Sequence, residues 1–447
     1  MKGALPPPPI EPPDVTFPPD ITFPPDITTP VVTPTPIVIE DADIYLSPDG
    51  DDNNGDGSIE RPWFTLNRAW QSVRAGNLIY MRGGTYQYRE RQWLDGKSGS
   101  DGNRIRIYAY PGEIPVITRG PNHINPNSWP FTAVFLSGNY IDVKGLEISY
   151  YTQLSSEVWE AFRAYYCNHC TFELLNIHHN GGGMKITNCD DCLVLNSDFH
   201  HNADPLTSND PYGNADGFSI NGDSTTRHNT VRGCRFWKNS DDGIDLWEEE
   251  GSVTVENCWS FWNGYKPDNF EPAGDGNGFK LGRTMQSTTD VRRYFYNNIA
   301  FENRRWGFID DGIRCNAVLY NNCSYKNGGN DPTWEGGFHF NMDPNMRYYI
   351  KNNIAFDNSS TNAELGNTTN VDHNTWDSPV IVGNLEFISV NSAGIDGARD
   401  SNGNLPVLNF LKLRPTSNLI GAGIRTGLPT DALGVPWNDP PSMGPYE

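Results

Sequence analysis

"GIDL" at 243–246, "GFKL" at 278–281 and "GFID" at 307–310 are one phrase written three times. It extends back to "GMKI" at 183–186 and "GFSI" at 217–220, and forward to "GFHF" at 337–340, at intervals of 26 to 35 residues. A second strand-like piece follows each phrase and ends in asparagine: "VLNSDFHHN", "VRGCRFWKN", "VENCWSFWN", "FYNNIAFEN", "LYNNCSYKN", "IKNNIAFDN". The apolar period is two, which selects strands over helical repeats. Short strands with Gly/Asn turns at this spacing make a solenoid, because no repeat can bury its own apolar face and the coils must stack. Asparagine suits the turns, since it tolerates left-handed backbone angles and can bond along a column of its own kind. Each unit is too short for the four strands of a propeller blade. Earlier coils are visible in "IYMRGGTY", "IRIYAYPGEIPVIT" and "FLSGNYIDVKGLEIS". The expected fold is all-β, a right-handed parallel β-helix. One helix is predicted over 64–76, "FTLNRAWQSVRAG", covering the N-terminal end of the core.

Stacked coils turn an alignment of the phrase into spatial columns about 4.8 Å apart. The inward column reads Met184, Phe218, Ile244, Phe279, Phe308, Phe338, a core stripe. The outward column reads Lys185, Ser219, Asp245, Lys280, Ile309, His339. A further column before the glycine holds Asp216, Asp242 and Asn277, with Asp241 beside Asp242. Alone, Lys280 reads as a surface lysine and the aspartates as a solvated acidic face. In this register they crowd together, and carboxylates that close repel unless a cation sits among them. Oxygen-rich ligation suits Ca²⁺. A one-residue slip would turn the whole set inward.

Such a site suits abstraction of the C5 proton of a uronic acid, which lies α to a carboxylate. A cation on that carboxylate would stabilise the developing charge, and a neutral Lys280 would be the base. A neighbouring cation pushes a lysine pKa down and the aspartates push it up, with the balance open at this level.

The chain has 447 residues, 36% hydrophobic and 12% aromatic, so a real core is available. A net charge of −22 argues against nucleic acid as a partner. No run approaches the roughly 18 apolar residues of a membrane span. Residues 1–40 hold 13 of the 34 prolines, in the near-repeat "PPDVTF", "PPDITF", "PPDITT", and so cannot build a core. They are expected to form an extended Pro/Thr-rich linker, either a tail or a joint to other modules, ahead of a catalytic domain over 41–447. The opening "MKGALPPPPIEPP" lacks the apolar region of an export signal; the expectation is a secreted, monomeric protein whose signal is not in this sequence.

"NADGFSI", "NSDDGIDLW" and "GNGFKLG" together resemble the active-site motifs of the family 9 polysaccharide lyases, chiefly pectate lyases. The stretch from "DIYLSPDGDDNNGDG" to "MRGGTY" is similar to their N-terminal coil and cap. "EFISVNSAG" and "LPVLNFLKLRPTSNLIGAG" resemble their C-terminal coils. The likeness covers roughly 42–447. It implies a Ca²⁺-dependent lyase acting on polygalacturonate by β-elimination, with Lys280 as base and Asp216, Asp241, Asp242 and Asp245 holding the ion. Two departures bear on substrate preference: Arg283 stands where the family often has a second glycine, and the chain ends "SMGPYE" rather than with a "GAFE"-like sequence. Arg283 and Arg305 are candidates for holding substrate carboxylates.

Other patterns compete. Cys167-x-x-Cys170 and Cys189-x-x-Cys192 fit zinc, disulfides or stacked free thiols, and Cys234 and Cys258 recur at equivalent slots. The two "HHN" turns, at His178–His179 and His200–His201, read as a surface ladder before a metal site. "DGDDNNGDG" at 49–57 misplaces the glycine of a calcium-binding helix–loop–helix and reads as a strand-to-helix loop. Three other functions remain in play: a β-helix hydrolase using paired aspartates, a lyase acting on another acidic polysaccharide, and a non-catalytic carbohydrate-binding solenoid.

Overall fold

A computed structural model describes residues 39–119, 132–223, 228–329, 335–340, 345–366 and 370–447. A compact unit begins at Ile39. The expected linker lies outside the described residues apart from its last two positions.

Among the described residues, three parallel sheets of 12, 10 and 10 strands wind around one core. The second sheet runs through strands Gln92–Leu94, Val134–Leu136, Phe162–Tyr165, Met184–Thr187, Phe218–Asn221, Ile244–Asp245, Phe279–Lys280, Phe308–Ile309, Gly336–Phe340 and Thr361–Leu365. The expected register is the observed one. Met184, Phe218, Ile244, Phe279, Phe308 and Phe338 are paired in series and fully buried. The rings of Phe279, Phe308 and Phe338 stack at 4.8 and 4.7 Å.

Two asparagine ladders hold the turns. In one, Asn202, Asn239, Asn263, Asn303 and Asn327 are all fully buried, and the backbone N–H and Nδ2 of each of the first four donate to Oδ1 of the next. The other links Asn298, Asn322, Asn353 and Asn374 in the same way. The ladder also explains the glycine that opens the repeated phrase. A Cβ on Gly278 would stand 2.7 Å from Asn303 Nδ2 and 2.8 Å from Gly307 O, too close for any side chain.

The helix is shorter than expected, Leu66–Ser72, with Thr65 capping it by accepting from Arg68 N. Leu66, Ala69 and Trp70 join the main core. The acidic loop before it is a strand-to-helix loop, as expected: Asp52 accepts from Phe64 N, Thr65 N and Thr65 Oγ1, and Asp51 from Asn53 N and Asn54 N. All eight cysteines are buried free thiols, which answers against the disulfide reading.

The C-terminal stretches differ from expectation. The strand ladders end at Asp372, and "EFISVNSAG" and "LPVLNFLKLRPTSNLIGAG" form no further coils. Instead Phe387, Ile395, Phe410, Leu411, Leu419, Met443 and Tyr446 pack on the outer side of the third sheet, against Trp237, Trp259, Phe261, Phe301 and Tyr325. That is why strands such as Trp259–Phe261 are buried on both faces.

Candidate functional site

The outward column places Lys280 beside Asp245 on the preceding coil, with Ser219 one coil earlier and Ile309 one coil later. Lys280 Nζ lies 3.2 Å from Asp242 Oδ2, 3.2 Å from Asp245 Oδ2 and 3.7 Å from Asp311 Oδ2. Its side chain is 11% exposed, so this is no solvated surface lysine. Asp216, Asp241 and Asp242 sit on the adjoining turns, and one carboxylate oxygen from each lies within 4.8 Å of the others.

The backbone around the turn fixes these carboxylates. Asp242 Oδ1 accepts from Asn277 N at 2.6 Å and Asn277 Nδ2 at 2.9 Å. Asp241 Oδ1 accepts from Asp275 N at 2.6 Å, and Asp216 Oδ1 from Asp242 N at 3.3 Å. Asp242 Oδ2 and Asp245 Oδ1 are buried without a hydrogen-bond partner. Burial, then mutual repulsion, pushes the carboxyls of Asp216 and Asp241 well up, and raises Asp245 too. Burial raises Asp242 to about 6 against the opposing pull of Lys280. For Lys280, burial alone would lower the ammonium pKa. Asp245, Asp242, Asp311 and Asp241 outweigh it and hold the group strongly protonated. The balance left open by the sequence therefore falls to the aspartates while no cation is present.

A set of hard oxygen donors in mutual repulsion, some lacking hydrogen-bond donors, fits a divalent oxygen-seeking cation. Asp216, Asp241 and Asp242 form the tightest group; Asp245 is drawn toward Lys280.

Arg283 is exposed and lies 4.4 Å over the Trp247 ring, on whose face Lys280 Nζ also sits at 5.2 Å. Gly282, at φ +82, makes this possible, since a Cβ there would stand 1.9 Å from Leu246 O. Arg305 is engaged with Asp275 at 2.7 Å and with Glu335 at 3.8 Å, one residue set behind Asp241. Sequence reasoning missed Asp311 and Trp247. Both lie just beyond strand ends, although the paired "DD" of "GFIDDG" was a visible signal.

The histidines form a ladder on the third sheet, away from this site. His178 stacks on His200 and His179 on His201, each at 4.8 Å. His178, His179 and His200 offer nitrogens within 4.8 Å of one another. Within each coil the facing Nδ1 atoms lie 2.7 Å apart, within hydrogen-bond distance of one another.

Residues 44–374 match the family model described as "Pel9A-like, right handed beta helix region". A "Pectate lyase L" from Dickeya dadantii (strain 3937) is 31% identical over 85% of this chain and 86% of its own. The crystal structure of pectate lyase Pel9A superposes with a TM-score of 0.73 at 28% identity, covering 90% of this chain and 96% of that one. A structure titled "Rhamnogalacturonan lyase" gives a TM-score of 0.73 at 26% identity, covering 83% and 96%. The match spans nearly the whole β-helix and holds in both sequence and structure, so this chain belongs to the Pel9A-like right-handed β-helix family and is a polysaccharide lyase.

Proposed function

We propose that the enzyme is a secreted, Ca²⁺-dependent pectate lyase that cleaves polygalacturonate by β-elimination, with Lys280 as the base. The observation that carries this is the contact of Lys280 Nζ, at 3.2 Å, with two aspartates of the carboxylate cluster. Asp216, Asp241, Asp242 and Asp245 would hold the ion. Bound Ca²⁺ would neutralise the uronate carboxylate and stabilise the charge that develops at C5. Protonated Lys280 cannot act as a base, so relief of the aspartates' charge is what frees its lone pair. Lys280 then takes the C5 proton, the C5–H electrons form the C4=C5 double bond, and the C4–O bond breaks with its pair leaving on the glycosidic oxygen. Arg283, exposed over Trp247, would take a substrate carboxylate bidentately. Arg305, already paired to Asp275, supports the turn that presents Asp241. The polymer is the expected partner, and the Pro-rich segment would be a spacer.

The test is turnover of polygalacturonate followed by the ultraviolet absorbance of the unsaturated product, with Ca²⁺ and with chelator. Lys280→Arg should lose roughly 10²–10⁴-fold in kcat, because a guanidinium keeps the charge but not the basicity. Full activity under exhaustive chelation, or a Lys280→Arg enzyme near the wild-type rate, would overturn the proposal. Rhamnogalacturonan is the second substrate to assay, on the strength of the second structural match.

A further inference from the structure

The outward column continues beyond Lys185 toward the N-terminus. In register it reads Trp93, Phe135, Arg163, Lys185, Ser219, Asp245, Lys280. At about 4.8 Å per strand, Lys185 stands ~14 Å, Arg163 ~19 Å and Trp93 ~29 Å from Lys280 along one face of one sheet. The character of the column changes along this run. Near the reaction centre it is acidic, but farther out it is cationic and aromatic. Ser219, the residue between Lys185 and Asp245, is small and leaves the floor of the column low.

The distal residues form one connected surface. Trp93 is 51% exposed, and its ring lies 4.7 Å from that of Phe135. The Arg91 guanidinium packs on Trp93 at 4.8 Å and faces Trp159 at 5.9 Å, and Arg163 lies over the same Trp159 at 4.6 Å. Arg163 and Lys185 share one carboxylate, Glu160, at 3.5 and 3.7 Å. Arg163 Nε is buried and makes no hydrogen bond. Two cations on successive coils thus share one carboxylate, that of Glu160, in a chain of net −22. An exposed tryptophan tilted against a second ring offers an apolar face to a sugar ring.

We propose that Trp93, Phe135, Arg91, Trp159, Arg163 and Lys185 form a distal binding region for the same uronate polymer, three to six coils before Lys280. The inference rests on the lyase reading of the Lys280 site and extends it. Charge complementarity selects a polyanion, and the shared register with Lys280 selects the chain already lying at the site. Cations on adjacent coils suit a polymer carrying a carboxylate on every sugar. The region makes the enzyme length-sensitive: a long chain reaches it and a trimer does not.

The experiment compares the Arg163→Gln/Lys185→Gln double variant and Trp93→Ala with wild type, on long polygalacturonate and on trigalacturonate. On the long polymer KM should rise about tenfold with kcat unchanged, while both constants on the trimer stay at wild-type values. An unchanged KM on the polymer, or an equal loss on polymer and trimer, would overturn the proposal. Should the wild type cleave neither, the lyase reading fails by itself. Calorimetric titration with long galacturonan then decides the distal region: weaker binding in the double variant supports it, and equal binding rejects it.

Discussion

Replacing Asp242 by asparagine tests the cation site from the side of stability. Asparagine keeps the shape, and its Oδ1 can still accept the Asn277 N–H and Nδ2–H now held at 2.6 and 2.9 Å. The charge is lost, and an amide NH2 replaces the Oδ2 that stands 3.2 Å from Lys280 Nζ. The Asp242 carboxyl is raised from 3.8 to about 6, by burial first and then by Asp245 and Asp275, over the pull of Lys280. A folded pKa above the unfolded one means the folded state holds its proton longer. Ionisation therefore penalises folding: the penalty is absent below the unfolded value, grows as pH rises, and is complete above the folded value. Two units at 1.36 kcal/mol each set its size at about 3 kcal/mol. In chelator at about pH 8, Asp242→Asn should thus be more stable than wild type by up to ~3 kcal/mol, and the gap should close near the unfolded pKa. Ca²⁺ should stabilise the wild type, by about 2.7 kcal/mol at a hundredfold excess over Kd, and do little for the variant. Urea unfolding at two pH values, with and without Ca²⁺, reads all four quantities. A variant less stable than wild type in chelator at the higher pH would refute the reasoning, because the Lys280–Asp242 attraction would then outweigh the repulsion.

Asn303→Ala should cost about 3 kcal/mol in chemical denaturation, since it leaves the buried Asn263 N–H without its acceptor and removes the bonds to Ser260 O and Asn327 Oδ1. The His201 ring is lowered from 6.5 to about 3, by burial first and then by His179 and Lys238. Its neutral form therefore contributes stability that is present above the unfolded pKa and lost as pH falls toward 3. His201→Asn, which accepts the observed φ of +54, should flatten that acid limb in melting temperature against pH. Arg283→Ala should raise KM for polygalacturonate more than it lowers kcat, measured by steady-state kinetics, if the guanidinium holds a substrate carboxylate. Deleting residues 1–38 should leave kcat on soluble polymer unchanged, because the segment is too proline-rich to contribute a core; a large fall in activity would show otherwise.

The site was readable in the sequence to the extent that it sits on strands. Period-two alternation assigns each residue a face, and parallel stacking places equivalent residues of successive coils side by side. An alignment of six short phrases was therefore enough to put Asp245 next to Lys280 and the phenylalanines inside. Where the strand ends, the rule stops. Asp311 follows strand Phe308–Ile309 with a φ of +44, so its direction depends on the turn and not on parity. Trp247 is set by the close approach that Gly282 permits. The C-terminal segment failed for another reason. It carries apolar residues without the repeat, and its partner surface is the outer face of the third sheet. The clue was in that sheet: "WSF" at 259–261 and "IAF" at 299–301 leave no polar face for water.

The second sheet is weakest where the chemistry is placed. Its strands run four residues at Phe162–Tyr165, Met184–Thr187 and Phe218–Asn221, then shrink to two at Ile244–Asp245, Phe279–Lys280 and Phe308–Ile309. On the same coils the first sheet stays long, with five residues at Ser252–Glu256, six at Val291–Tyr296 and five at Asn316–Tyr320. Short strands release the turn residues before them, and the turn before Ile244–Asp245 carries Asp241 and Asp242, facing Asp216 on the preceding coil. The repulsion gathered there must be offset nearby. Asn239 stands two residues before Asp241 and is tied to Asn263 by both its N–H and its amide. The ladder thus clamps the start of the same turn whose end holds the carboxylates. An array of like charges can persist in a fixed geometry only against such a clamp. The asparagine ladder and the aspartate cluster are accordingly one device, the first supplying the rigidity that the second consumes.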